Sequence, residues 1–226
     1  MRNTKYILLS LIMLAFIAFL LYEGWFILQR FFEVITLYKW VGVGIVIFAI
    51  LHYFVRRNRE MMGVFSHELT HAVVAVACFR EILSLQVNQR DGVVWTRGRT
   101  WSEVFVTLAP YCLPLFTYIM LFLWSLVATP QLAISGGLWA FDIIVGMTIM
   151  FHIVCFKEQT RPDQTDIQEY PLYFSYLYIW LFRLLNLLVI ILCYMPLART
   201  HEPMKLWGAF WYLLQNLWAD ILKIIL

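Results

Sequence analysis

Six apolar runs, at residues 6–28, 34–55, 62–79, 101–127, 138–156 and 172–194, take up most of this 226-residue chain. About 20 apolar residues are what an α-helix needs to cross the hydrocarbon core of a bilayer. In lipid only helices and closed barrels keep every backbone polar group satisfied. With 62% of its residues hydrophobic and 14% charged, the chain carries more apolar surface than a soluble domain of this size can hide. The sequence therefore reads as an all-α polytopic membrane protein with about six membrane helices. A last stretch, 203–226, is amphipathic: Trp207, Phe210, Trp211, Leu214, Leu217, Trp218, Ile221 and Ile225 share one face, with Lys205, Gln215, Asn216, Asp220 and Lys223 elsewhere. That pattern predicts a C-terminal amphipathic helix in the interface, or a final span.

Between Ile82 and Thr100 the texture changes to "ILSLQVNQRDGVVWTRGRT". Alternating Leu83, Leu85 and Val87, then an Asp91-Gly92 turn, then Val93, Val94 and Trp95 predict a small membrane-associated β-hairpin. No repeat or low-complexity linker divides the chain, which reads as one membrane-embedded domain over 1–226: an N-terminal helical pair (1–60), a core (61–172) and C-terminal helices (173–226). The start, "MRNTKYILLSLIMLAFIAFLLYEGW", has a basic head but a long apolar run and no small-residue cleavage site, so it reads as a retained anchor. The net charge of +3 forms no basic stripe; the lipid bilayer is an implied partner and nucleic acid is not. Cys78, Cys112, Cys155 and Cys193 sit in or beside apolar runs without a CxxC pair and read as buried hydrophobes rather than a disulfide framework.

Loop lysines and arginines favour the cytoplasmic side of a membrane. If every run crosses fully, they divide evenly and decide nothing. If 62–79 dips into the bilayer and the hairpin returns the chain to the same side, all but Arg30, Arg199 and Lys205 gather on the side of the N-terminus. The second topology is preferred, with the N-terminus, the hairpin and the segment after residue 156 in the cytoplasm. Arg56, Arg57 and Arg59 read as a topology determinant that also fixes the entry of the helix at 62–79.

Within the apolar run 62–79 stands "FSHELTHAVV". Residues four apart share a helix face, so His67 and His71 can offer two imidazole nitrogens to one metal, and Glu68 lies within reach of a water there. This is the HExxH arrangement: two zinc ligands and a general base. A charged group in a bilayer costs about 2.5–3.5 kcal/mol on insertion scales, so the setting favours function over a polar cluster that merely joins helices. Zinc held by two histidines needs a third protein ligand, and "KEQTRPDQTDIQEYP" after the fifth run offers Asp163 and Asp166.

The HExxH helix, the hairpin, "LAPYCLPLF" and a carboxylate before the next helix together resemble the site-2 protease family of intramembrane zinc metallopeptidases, over roughly residues 62–172. The usual Asn-Pro-Leu-Asp-Gly type motif is absent, and "RPDQTDI" is more similar to the divergent branch. The resemblance implies His67 and His71 as metal ligands, Glu68 as the catalytic base, and Asp166 as the best match for a distal ligand, with Asp163 the alternative. Asp142 is a third candidate, which the preferred topology puts near the far face. The activity implied is zinc-dependent intramembrane endoproteolysis of a transmembrane or membrane-associated protein substrate, with Zn2+ as cofactor. The rivals are a membrane-anchored gluzincin using Glu158 or Glu169 at the aqueous face, and a catalytically inactive scaffold of the same fold. Oligomeric state is not readable. Arg183, in mid-span, is expected either to pair with a carboxylate near the site or serve a substrate gate, or to form an ion pair that packs helices together; His152 is expected to be a hydrogen-bonded core residue.

Overall fold

The first apolar run folds as a single 33-residue helix, α1 (Arg2–Val34), extending beyond the expected 6–28 at both ends. The computed structural model describes residues 2–34, 38–54, 59–88, 91–98, 102–127, 137–193 and 206–225; Arg56 and Arg57, read above as topology determinants, lie outside them. After α1 come α2 (Lys39–Phe54), α3 (Arg59–Ala77), strands β1 (Glu81–Val87) and β2 (Gly92–Arg97), α4 (Glu103–Leu108) with a 3-10 turn at Ala109–Tyr111, and α5 (Leu115–Val127). Then follow α6 (Trp139–Gln159), the one-turn α7 (Thr165–Gln168), α8 (Leu172–Cys193) and α9 (Leu206–Ile225). The all-α class and the hairpin are as expected. By length and composition, α1, α6 and α8 are each able to cross a membrane, whereas α2 and α3 are shorter.

One expected span is corrected. Run 101–127 is not a continuous helix: α4 with its 3-10 turn meets α5 at an angle of 88°. Pro110 lies in the 3-10 turn and Pro114 immediately before α5, and a proline cannot continue the helical hydrogen-bond ladder through its own nitrogen. The pair counts as one broken span or a re-entrant segment.

Two parallel helix pairs organise the bundle. Trp40 faces Trp139 and Phe48 faces Phe151, so α2 and α6 run in the same direction. They approach closely because both lack side chains at the contact: a Cβ on Gly44 would lie 2.8 Å from the Ile143 carbonyl carbon, and one on Gly146 2.9 Å from that of Val41. Small residues that let backbones meet are how helices associate where lipid removes the hydrophobic drive. In the same way Tyr6 packs on Phe174 and Gly24 on Leu188, setting α1 parallel to α8. The start of α1, the start of α3, the end of α6 and the start of α8 therefore share one end of the bundle.

The interior has two parts. Leu20, Ile27, Leu121, Trp124, Val145, Leu188 and Leu192 fill the half away from that end. Met13, Leu108, Tyr111, Ile167, Phe174 and Ile179 fill the half beneath it. On α9, Ala209 and Leu213 enter the first cluster, while the tryptophan face read from the sequence, with Trp207, Trp211 and Trp218, points outward. That suits the aromatic enrichment seen at membrane interfaces.

α3 ends in a Schellman-type cap. Arg80 N–H bonds Ala75 O at 2.8 Å, and Phe79 takes φ 56°, where glycine normally stands. The reversal sends β1 back along α3, with β2 antiparallel to it and a register shift between Ile82 and Ser84.

Candidate metal centre

Residues 67 and 71, one helical turn apart on α3, present their rings together, with centroids 4.8 Å apart. Each ring is oriented through its Nδ1. His71 Nδ1–H donates to the Val106 carbonyl of α4 at 2.8 Å. His67 Nδ1–H faces Gln159 Oε1 at 3.4 Å, and the amide of Gln159 is oriented by its own donation to Gly63 O at 3.0 Å. Donation from Nδ1 fixes the tautomer that leaves Nε2 with a free lone pair, which is how metal-binding histidines are held.

Both Nε2 atoms point at one carboxylate. Asp166 Oδ2 lies 3.3 Å from His67 Nε2 and 3.3 Å from His71 Nε2, and the three donor atoms lie within 4.8 Å of one another. Ligands about 2.0–2.1 Å from a tetrahedral zinc stand about 3.3–3.4 Å apart. The two nitrogen–oxygen spacings match that figure, and two imidazole nitrogens with a carboxylate oxygen are a donor set that suits zinc in its chemistry. Burial alone would raise the Asp166 pKa, but in the metal-free site hydrogen bonds from the Nε2–H groups of His67 and His71 when both rings are protonated, and their charge, outweigh it and hold the carboxyl below its ordinary value.

The other candidates stand elsewhere. Asp163 is exposed on the α6–α7 link and is not in the cluster. Asp142 lies in the first turn of α6, about 26 Å along the helix from Gln159 at 1.5 Å per residue. Glu158 is exposed at the end of α6. Glu169 borders the same cavity, but Thr107 Oγ1 donates to its carboxylate at 3.4 Å, and it too is outside the cluster.

A cavity of about 680 Å3 opens over the three residues. Glu68, 7% exposed, lines it beside His67 and His71. Across from α3 its wall is made by residues 91–96, six in succession, with no residue of β1. Successive strand residues point to opposite faces, so the border is the outer edge of β2. Gly92 stands against Glu68 so closely that a Cβ there would lie 2.8 Å from Glu68 Cδ and 2.9 Å from Oε1. The turn is closed by Asn88 N–H donating to Asp91 O at 2.8 Å.

Two expectations about polar residues in the spans are decided. His152 Nε2 accepts the N–H of Phe116 at 3.1 Å in the first turn of α5, among Phe116, Phe151 and Phe156, so it is the hydrogen-bonded core residue expected. Among the described residues Arg183 pairs with no carboxylate. Its Nε donates to Tyr111 O at 2.8 Å, one terminal nitrogen to Phe156 O at 3.4 Å and to Thr160 Oγ1, and the guanidinium covers the Phe156 ring at 4.9 Å. Broken helices leave carbonyls that need donors, and Arg183 supplies them. Gln159, Tyr111, Gly92 and the Val106 carbonyl were not legible as site residues, because their partners lie 24 to 96 residues away in sequence, as 63 and 159 do.

A family model described as Peptidase M50B-like matches residues 40–220, wider than the stretch over which the sequence resemblance was drawn. No curated protein and no solved structure matches the chain.

Proposed function

The chain belongs to the Peptidase M50B-like family, a family of membrane metallopeptidases, and on that premise we propose that it is a zinc-dependent intramembrane endopeptidase. The observation that carries the reading is the convergence of His67 Nε2, His71 Nε2 and Asp166 Oδ2 within 4.8 Å, beside Glu68 in one cavity. In this reading His67, His71 and Asp166 hold the metal, with the Nδ1 contacts to Gln159 and Val106 keeping both imidazoles in the required tautomer. A bound Zn2+ supplies Lewis acidity toward a peptide carbonyl and makes water acidic enough to ionise near neutral pH.

Glu68 takes the proton from the attacking water and returns it to the leaving amine nitrogen as the C–N bond breaks. A substrate helix hides its backbone in hydrogen bonds, so the cleaved segment must first be unwound. The outer edge of β2 offers unpaired backbone groups along residues 92–96, against which an extended segment can add as a further strand. Gly92 at the Glu68 end of that edge places the attacked bond near the start of β2. The walls of α3, α4 and the hairpin keep bulk water from a reaction that consumes one water per cut. The substrate is a transmembrane or membrane-associated protein, and the end of the bundle that carries the site faces the cytoplasm.

The test compares membrane proteomes of cells carrying wild type or Glu68→Gln. An uncut membrane protein accumulating with the mutant, and its cleavage by purified wild type, is the expected result. No accumulating protein under any growth condition, with zinc retained by both forms, would support an inactive scaffold instead.

A further inference from the structure

Asp166 sits on a single helical turn after an exposed link, and little in its own segment fixes its carboxylate. The hydroxyl of Tyr111 does. It donates to Asp166 Oδ2 at 3.1 Å, the oxygen that stands 3.3 Å from each imidazole Nε2. The Tyr111 ring packs edge-on against His67 with centroids 5.1 Å apart, and the residue is fully buried. One side chain thus touches two of the three proposed ligands without bordering the cavity.

Tyr111 occupies the break between α4 and α5, where the chain leaves helical geometry and carbonyls lose their partners. The donors come from α8, whose residues 183 and 186 share a face. Arg183 Nε donates to Tyr111 O at 2.8 Å and Asn186 Nδ2 to Cys112 O at 2.8 Å. Arg183 also donates to Phe156 O and Thr160 Oγ1 at the end of α6, the helix that leads into the link carrying Asp166. The guanidinium therefore ties together the turn that holds Tyr111 and the segment that delivers Asp166.

We infer that Tyr111 is a positioning residue of the metal centre: its hydroxyl holds Asp166 with Oδ2 toward the two histidines, and Arg183 and Asn186 brace the broken helix that presents it. The inference rests on the metal reading proposed above. Removing a hydrogen-bond donor to a ligating group typically weakens metal affinity about 10- to 100-fold. Tyr111→Phe removes only the hydroxyl and keeps the ring against His67. Tyr178→Phe is the control, a buried phenol of the same cluster that lies outside the centre.

Full-length wild type and both variants, purified in detergent and stripped of metal, are titrated with zinc against a chromogenic chelator, and the melting temperatures of the metal-free forms are recorded. Tyr111→Phe is expected to bind zinc about 10- to 100-fold more weakly, with Tyr178→Phe unchanged and the two metal-free melting temperatures alike. A merely structural role for Tyr111 would lower its melting temperature and leave affinity untouched. Wild-type affinity in Tyr111→Phe overturns the inference and leaves the metal reading standing; a wild type that takes up no zinc overturns both. If Tyr111→Phe does not fold, Arg183→Lys carries the test. Lysine cannot reproduce the forked donation, so weaker zinc binding supports the brace and unchanged binding overturns it.

Discussion

Substituting Gly92 by alanine tests whether the hairpin sets the position of the proposed base. The backbone at 92 is not in the left-handed region, so alanine is sterically acceptable to the strand, and loss of a glycine removes unfolded-state entropy. What alanine does not have is room. Its Cβ would lie 2.8 Å from Glu68 Cδ and 2.9 Å from Oε1, against about 3.5–4.0 Å for an unstrained carbon contact. The obstructing atoms, Glu68 Cγ nearest of all, belong to a side chain rather than to backbone, so Glu68 yields and its carboxylate moves by about 1 Å. A displacement of that size at a reacting group costs about 100-fold in rate, or about 2.7 kcal/mol of transition-state stabilisation. The assay is cleavage of the protein trapped by Glu68→Gln, with zinc content and melting temperature measured on the same samples. The expected result is a kcat/KM lowered about 100-fold with zinc and melting temperature retained. A wild-type rate would refute the placement of Glu68 as base beneath β2. A parallel loss of zinc would show that Gly92 supports the ligands instead.

Two more outcomes separate the proposed ligand set and the bundle packing from their alternatives. Asp166→Ala should abolish zinc binding at micromolar metal while Asp163→Ala, Glu158→Ala and Glu169→Ala keep it; retention by Asp166→Ala with loss in Glu169→Ala would favour the gluzincin arrangement. Gly146→Ala puts a methyl group against the Val41 backbone of α2, which cannot swing aside as a side chain can, and should cost about 1–3 kcal/mol. Thermal unfolding in detergent reads this, and an unchanged melting temperature would contradict the close α2–α6 contact.

The parts of this protein legible in its sequence are those written by local pattern. The apolar runs, the alternation and Asp-Gly turn of the hairpin, and the four-residue spacing of His67 and His71 each depend on neighbours within a turn or a strand. Zinc's need for a third ligand led to the segment with Asp163 and Asp166, and only the resemblance to the site-2 protease family favoured Asp166 between them. What stayed hidden depends on partners far along the chain. Nothing near Gln159 marks it as the acceptor for His67, and Gly92 looks like an ordinary turn glycine until Glu68 is seen against it. Arg183 suggested an ion pair because a charge in lipid demands a partner; carbonyls freed by the break at Pro110 and Pro114 are invisible in a hydropathy pattern. The same break turned one expected span into two helices at 88°. The parallel α2–α6 pair also escaped notice, since Gly44 and Gly146 acquire meaning only from each other.

The central claim is a zinc site built from two histidines and an aspartate, and the zinc K-edge X-ray absorption spectrum of the purified full-length protein tests it most directly. One zinc per chain with a shell of nitrogen and oxygen at about 2.0–2.1 Å, imidazole scattering and no sulfur is expected. Absence of bound zinc, or a sulfur shell at about 2.3 Å, would contradict it.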